Sequence, residues 1–567
     1  MTTVRPVLVP DPAVQQADAD WWRRAVIYQV YVRSFADGNG DGIGDLTGLR
    51  SRLPYLADLG VDALWLNPWY PSPMADGGYD VADYRDIDPA FGTLTEAEAL
   101  ISEAHDLGLR MVIDLVPNHT SDRHAWFQEA LRAGPGSAAR GRYIFRDGRG
   151  ADGAQPPNNW RSVFGGPAWT RVVEDDGRPG QWYLHLFAPE QPDVNWDNPE
   201  VREEFESILR FWFDRGIDGV RIDVAHSLVK APGLPDVGTA DLEVSGSAAN
   251  TGHPHWDRDE VHEIYRSWRR VADAYDHGPV FVAEAWTGSP ERLARYVRED
   301  ELHTAFNFDY LTCPWRPDHL RRVIDASLDV LGGVGAPATW VLSNHDVVRH
   351  LSRFARPQPD HPLRTLADLS PEENPADVDL GTRRARAAAL LMLALPGGAY
   401  VYQGEELGLW EVEDLPEDML QDPIWERSEH TDRGRDGCRV PLPWSGCTTP
   451  FGYSPEDTAT EPWLPQPEEW KSLTAQAQQG DAQSMLALYR RALRIRRAHS
   501  GLRGAGMTWY SSPESQVLSF GRPPGFRCVV NFAEAPVALP EESRVLLSSG
   551  PLTDGLLPTD TAVWLAE

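Results

Sequence analysis

Four carboxylates and two histidines in this chain stand where apolar runs give way to polar residues. Asp114, Asn118 and His119 close "RMVIDLVPNH", Arg221 and Asp223 sit in "DGVRIDVAH", Glu284 in "PVFVAEAW", and His345 and Asp346 close "ATWVLSNHD". A loop cap or an ordinary ion pair explains any one of them alone. Brought to one place, the carboxylates would repel one another unless something drives their pKa values apart. Such crowding keeps one carboxylate ionised as a nucleophile and another protonated as a general acid. That division of labour is what glycoside hydrolysis requires.

The runs that position these residues recur along the chain. "AVIYQVYV" (25–32), "DALWLNP" (62–68), 110–119, 218–226, 279–286, "TAFNFDY" (304–310), 338–346 and "AYVYQGEE" (399–406) are strand-length and separated by helix-length segments such as "EAEALISEAHDLG". Strands alternating with helices predict a parallel sheet, and eight units predict an α/β (β/α)8 TIM barrel rather than an open doubly wound sheet. In such a barrel the polar strand ends share one bowl. About a hundred residues rich in Gly, Pro, Asn and Trp part the third and fourth runs, too many for a βα loop, so an inserted domain is expected. After the periodic helix 485–500, "QVLSFGR" and "FRCVVNFAE" read as a C-terminal antiparallel β domain. The expected layout is barrel 1–118, insertion 119–190, barrel 191–502 and terminal β domain 503–567, with the Pro- and Asp-rich 356–380 as a surface loop.

Bulk composition narrows the partners. The 567 residues exceed a single ordinary core, and 41% apolar with 24% charged content is that of a soluble globular protein. A net charge of −32 disfavours nucleic acid and anionic membranes. Most of the 22 tryptophans are expected to fill cores. Cys313, Cys438, Cys447 and Cys528 form no CxxC pair, so neither zinc nor a disulfide framework is indicated and a reducing cytoplasm fits. No signal-peptide pattern opens the chain, and no apolar run approaches the ~18 residues of a membrane span. Neither a GxGxxG after a strand nor a P-loop is present.

"DLVPNHTSDRH", "GVRIDVAH", "VAEAW" and "LSNHD" resemble the four barrel motifs of the alpha-amylase family of glycoside hydrolases, and "QPDVN" (191–195) resembles the motif of its oligo-1,6-glucosidase and alpha-glucosidase branch. The resemblance covers roughly residues 20–500. It implies a retaining enzyme in which Asp223 is the nucleophile, Glu284 the general acid/base and Asp346 a third carboxylate holding the sugar's 2- and 3-hydroxyls. Arg221 would orient Asp223, His119 and His345 would donate to sugar hydroxyls, and the Asp223 and Glu284 carboxyls would lie about 5–5.5 Å apart. "ADGGYD" (75–80) resembles the stretch in which Tyr79 stacks on the terminal glucose and Asp76 binds its 4-hydroxyl. "RGRDGCRVPLPW" (433–444) resembles the segment that supplies this aspartate with an arginine, for which Arg439 is preferred to Arg435. Phe164 would be a further wall. Val220 replaces the family's usual Phe behind the nucleophile, and Val224 leaves the preferred linkage open.

A second pattern is independent of the first. "DGNGDGIGD" (37–45) places Asp37, Asn39, Asp41, the Ile43 carbonyl and Asp45 at alternate positions with Gly42 at the turn, the first part of an EF-hand-type loop lacking the twelfth-position glutamate. The resemblance supports a structural Ca²⁺ there, with Mg²⁺ as substitute. The expected activity is release of glucose from the non-reducing end of short α-glucosides, by a monomer or small homo-oligomer. Transfer to a sugar acceptor, as in trehalose or isomaltulose synthases, is the alternative on the same residues. A non-catalytic sugar-binding barrel is disfavoured because all three carboxylates are present.

Overall fold

A computed structural model of the chain describes residues 20–174, 176–238, 253–361, 363 and 365–567. Eight parallel strands form the frame: β1 (Val26–Val30), β2 (Ala63–Leu66), β3 (Arg110–Leu115), β4 (Gly219–Ile222), β5 (Val280–Ala283), β6 (Thr304–Ala305), β7 (Thr339–Val341) and β8 (Gly398–Tyr402). Their order, β7-β8-β1-β2-β3-β4-β5-β6, is that of a barrel nearly closed on itself. Across the remaining seam the Thr339 hydroxyl donates to the Ala305 carbonyl. The barrel expected from the alternating runs is thus observed, each run contributing one strand.

Strand alternation explains why the polar ends meet. Ile27, Trp65, Val112, Val280, Val282, Val341 and Tyr400 pack together inside the barrel. Their neighbours Tyr28, Leu64, Met111, Ile113, Val220, Ile222 and Phe281 turn outward to the surrounding helices. Successive strand residues face opposite sides, so Asp114 follows Val112 inward, Glu284 follows Val282, and Arg221 and Asp223 share one face. Register fixes the level: Asp114 lies opposite Arg221, and Arg221 opposite Val282. Val220 lies opposite Phe281 in the next strand, so an aromatic ring still packs beside it.

The helices are bounded by ordinary chemistry. Helix Leu94–Asp106 opens with a capping box from Thr93 and Glu96. In helix Leu46–Leu59 the Asp45 side chain accepts the Gly48 N–H at 2.6 Å, satisfying a donor the helix leaves unpaired. Helix Val378–Ala394 buries nearly all of its second half because the C-terminal sheet covers its outer face: Trp564 donates to the Leu390 carbonyl at 2.9 Å and Arg522 to that of Ala394 at 2.7 Å. That sheet is antiparallel, with Val517–Arg522, Phe526–Asn531 and Thr561–Ala566 at its centre. Segment 356–380, expected as a surface loop, carries a short helix, Leu366–Leu369, and the first turn of the next.

Between β3 and β4 the chain makes a three-stranded antiparallel sheet from Phe145–Arg146, Trp169–Val173 and Pro179–Leu184. Its two ends return to one place, since His119 bridges Asp193. Beneath that bridge Lys230 reaches across from β4's loop, 2.7 Å from Asp193 and 2.7 Å from the Asn118 side chain. The cysteines are unpaired, and among the described residues no helix is long and apolar enough to cross a membrane.

Gly397 joins helix Val378–Ala394 to β8 with φ +114°, and a Cβ there would lie 2.1 Å from the Ala338 carbonyl oxygen at the entry to β7. Gly397→Ala is expected to cost about 2–4 kcal/mol, read as a lowered melting temperature by calorimetry.

Candidate active site

Arg221 is the centre of the bowl. It is 2% exposed, and its guanidinium touches three carboxylates: Nη1 lies 2.8 Å from Asp114 and 2.7 Å from Asp223, and Nη2 lies 3.0 Å from Glu284. A planar fork of fixed donors is suited to such sharing. Burial pushes the Asp114 carboxyl up to about 6, against the pull of Arg221. Burial also raises Asp223 well above the usual carboxylate range and raises Glu284, again with Arg221 opposing. Three carboxylates around one cation leave the cluster short of positive charge, so it readily keeps a proton.

Glu284 is held at both oxygens. Oε2 accepts the Val224 N–H at 2.8 Å and Oε1 the Trp286 indole N–H at 3.1 Å. Val224, next to Asp223, has φ +44°, a left-handed conformation rare for a β-branched residue. Backbone strain of this kind clusters at functional sites, and here it turns a main-chain donor toward Glu284.

Asp346 behaves differently. Burial alone would raise its pKa, but the guanidinium groups of Arg435, Arg439 and Arg221 together hold it well below the usual carboxylate range. Arg435 and Arg439 each reach its Oδ1 at 3.1 Å. Thus one bowl contains carboxylates that favour a proton and one that stays ionised.

The aromatic and imidazole groups form a directed chain. The Gln29 amide lies 2.7 Å from His345 Nδ1, so the neutral ring carries its proton on Nε2, 2.6 Å from the Tyr79 hydroxyl. Tyr79 in turn donates to Asp114 at 3.0 Å. His119 has Nε2 at 3.1 Å from both the Tyr79 carbonyl and the Gln191 amide nitrogen. Burial lowers both imidazoles, His119 to about 4, so both are neutral near pH 7.

One expectation is corrected. Arg435, not Arg439, pairs with Asp76, its Nη2 lying 2.7 Å from Oδ1. Arg439 lies against the segment that follows β7, with Nε donating to the His345 carbonyl at 2.9 Å. The reason is local. Gly434 has φ +67°, and a Cβ there would strike the Asp422 carboxyl at 2.6 Å. That close approach seats Asp422 under Arg435, 2.5 Å from its Nε, and aims the guanidinium at Asp76. Phe164 sits on the same cation, its ring centre 5.2 Å from Arg435. The structure therefore brings together Asp223, Glu284, Asp346, Asp76, Tyr79, His119, Phe164, Arg221, His345 and Arg439.

Sequence reasoning did not assign Gln191, Asp422 or Trp286. Gln191 donates to Asp76 at 3.0 Å; it opens the "QPDVN" motif, which was the available signal. Asp422 carries no signal of its own.

The loop at 37–45 lies apart from the bowl. Gly42 has φ +86°. Asp37 accepts the Gly42 N–H, Asn39 that of Asp41, and Asp41 that of Ile43, each at 2.9 Å. The donor set is all oxygen, which fits a hard cation. Among the described residues, no three acidic, His or Cys side chains gather closely enough to hold a metal ion.

Comparison with known proteins agrees with this geometry. Residues 29–505 match the model of the alpha amylase catalytic domain. The chain is 39% identical over 541 residues to a probable alpha-glucosidase of Rhizobium meliloti, covering 92% of this chain and 90% of that protein. It is 34% identical over 511 residues to the oligo-1,6-glucosidase of Parageobacillus thermoglucosidasius, covering 84% of each. Among solved structures, an alpha-glucosyl transfer enzyme superposes with a TM-score of 0.82 at 34% identity, over 96% of this chain and 99% of that one.

Replacing Arg221 by Met would leave three buried carboxylates without their cation, a loss of about 3–5 kcal/mol. The penalty falls on the ionised forms, so stability is expected to recover as pH drops through the raised carboxylate pKa values. Melting of Arg221→Met at pH 8 and pH 5 checks this: the deficit against wild type should shrink at pH 5.

Proposed function

The chain belongs to the alpha-amylase family of glycoside hydrolases, and from that premise we propose that it is a retaining, exo-acting alpha-glucosidase. One observation carries the reading: a single buried guanidinium holds Asp223 and Glu284 side by side, with Asp346 close enough to raise both their pKa values. Asp223 attacks the anomeric carbon while Glu284 protonates the departing oxygen, giving a β-linked glucosyl-enzyme. Water then attacks the same carbon, Glu284 takes its proton, and Asp223 leaves as carboxylate. Arg221 opposes the burial that raises the Asp223 pKa and so favours the ionised form the first step needs.

The Asp76–Arg435 pair supports cleavage at the chain end. It stands behind Tyr79 with Phe164 on its flank, a wall that suits one terminal glucose, Asp76 binding the 4-hydroxyl. Asp346 takes the 2- and 3-hydroxyls. His119 and His345 are proposed donors to the sugar; each then exchanges one of its protein contacts for a hydroxyl. Transfer to a sugar acceptor is the second reading, favoured by the similarity to an alpha-glucosyl transfer enzyme. It uses the same carboxylates and differs only in what attacks the glucosyl-enzyme. A structural Ca²⁺ at the 37–45 loop is proposed as well; Asp37, Asn39, Asp41, the Ile43 carbonyl and Asp45 would hold it, and binding would have to draw their oxygens to a common point.

Two measurements test these proposals. With maltose, isomaltose, sucrose and p-nitrophenyl α-glucoside, proton NMR is expected to show α-glucose appearing first, and Asp223→Asn to lower kcat by at least about 10⁴-fold. β-Glucose as first product, or an active Asp223→Asn, rejects the retaining assignment; mainly new disaccharides move the function to transfer. Chelation with EDTA is expected to lower Tm by more than about 3 °C. An unchanged Tm makes the loop a metal-free turn.

A further inference from the structure

We infer that Trp286 is a positioning residue for Glu284: its indole N–H aims the carboxyl so that Oε1 delivers the proton to the leaving oxygen. The inference rests on the glucosidase reading and deepens it. Glu284 Oε2 already accepts the Val224 N–H at 2.8 Å and lies 3.0 Å from the positive charge of Arg221 Nη2, which opposes a proton there. The proton that must be handed over therefore belongs on Oε1. Trp286 lies two residues beyond Glu284 and donates to that same oxygen at 3.1 Å. An indole N–H donates and never accepts, so it occupies one lone pair of Oε1, leaves the other for the proton, and fixes the carboxyl's rotation.

The indole is itself fixed from two directions. Its ring lies on Phe308, with centroids 3.8 Å apart and planes 5° from parallel. Phe308 opens the short helix after β6, whose first turn Asn307 caps. The Trp286 backbone N–H points at His226 Nδ1, 3.4 Å away, and His226 stacks on Trp256. The donor that aims Glu284 is thus set by elements following β4, β5 and β6. Other charged or titratable groups face Glu284 as well: Arg221, Asp223 and Asp346 from the ends of β4 and β7, and His226, which burial keeps neutral. None of them reaches Oε1 as a hydrogen-bond donor.

Removing the N–H while keeping a ring isolates the effect. Trp286→Phe loses the donor that favours ionised Glu284, so the Glu284 pKa must rise. The experiment is the pH dependence of kcat/KM for wild type, Trp286→Phe and Glu284→Gln on maltose and on p-nitrophenyl α-glucoside, with melting temperatures alongside. In Trp286→Phe the basic limb is expected to move up by about one pH unit. Turnover should fall about tenfold or more on maltose, whose leaving group needs the proton, and less on the nitrophenyl substrate. A merely structural tryptophan would alter Tm and leave the limb in place, and that result overturns the inference. Should Trp286→Phe not fold, Phe308→Leu releases the indole and is expected to shift the limb in the same direction; an unmoved limb in that folded variant also overturns it. A Glu284→Gln variant as fast as wild type on maltose rejects the glucosidase reading itself. A slow Glu284→Gln beside an unshifted Trp286→Phe rejects only the role of Trp286.

Discussion

Everything in the bowl is arranged around one cation that has too few charges for its neighbours. Arg221 serves Asp114, Asp223 and Glu284 at once, from the inner face of β4. Replacing a buried ion cluster by apolar residues is often neutral, while removing one partner is costly. The cluster is therefore poor evidence for stability and good evidence for function. Its deficit of positive charge suits chemistry in which a proton is held, given away and recovered.

Around that hub the barrel does two separate jobs. Strands β3, β4 and β5 set the reacting groups at one level through their register. Loops set the pocket's extent: Asp76 follows β2, while Asp422 and Arg435 lie beyond β8. Lys230 fastens Asp193 in the stretch between β3 and β4; that stretch also brings Phe164 beside Arg435 and Gln191 onto Asp76. On the proposed reading, reaction type and substrate size thus rest on different parts of the chain.

Much of this was legible in the sequence because it follows local rules. Period-two alternation in "GVRID" and "RMVID" places Arg221, Asp223 and Asp114 on one face, and eight strand-length runs specify the frame. What was not legible depends on close approach between distant segments. Arg435 and Arg439 are four residues apart in a turn with the same chemistry, and only the seating of Asp422 against Gly434 decides which faces Asp76. Trp286 reads as one more aromatic until Phe308 and His226 are seen to fix it. The calcium-type loop was visible as a pattern of oxygens, but a pattern does not bring them to a common point.

The Asp76–Arg435 pair spans 359 positions of the chain, and this has a consequence during synthesis. At about 5–20 residues per second, Asp76 leaves the ribosome roughly 20–70 s before its arginine. For that interval the nascent chain carries Asp76 without the arginine that pairs with it. A truncated product ending before residue 435 can contain Asp223, Glu284 and Asp346 and still lack the arginine that pairs with Asp76.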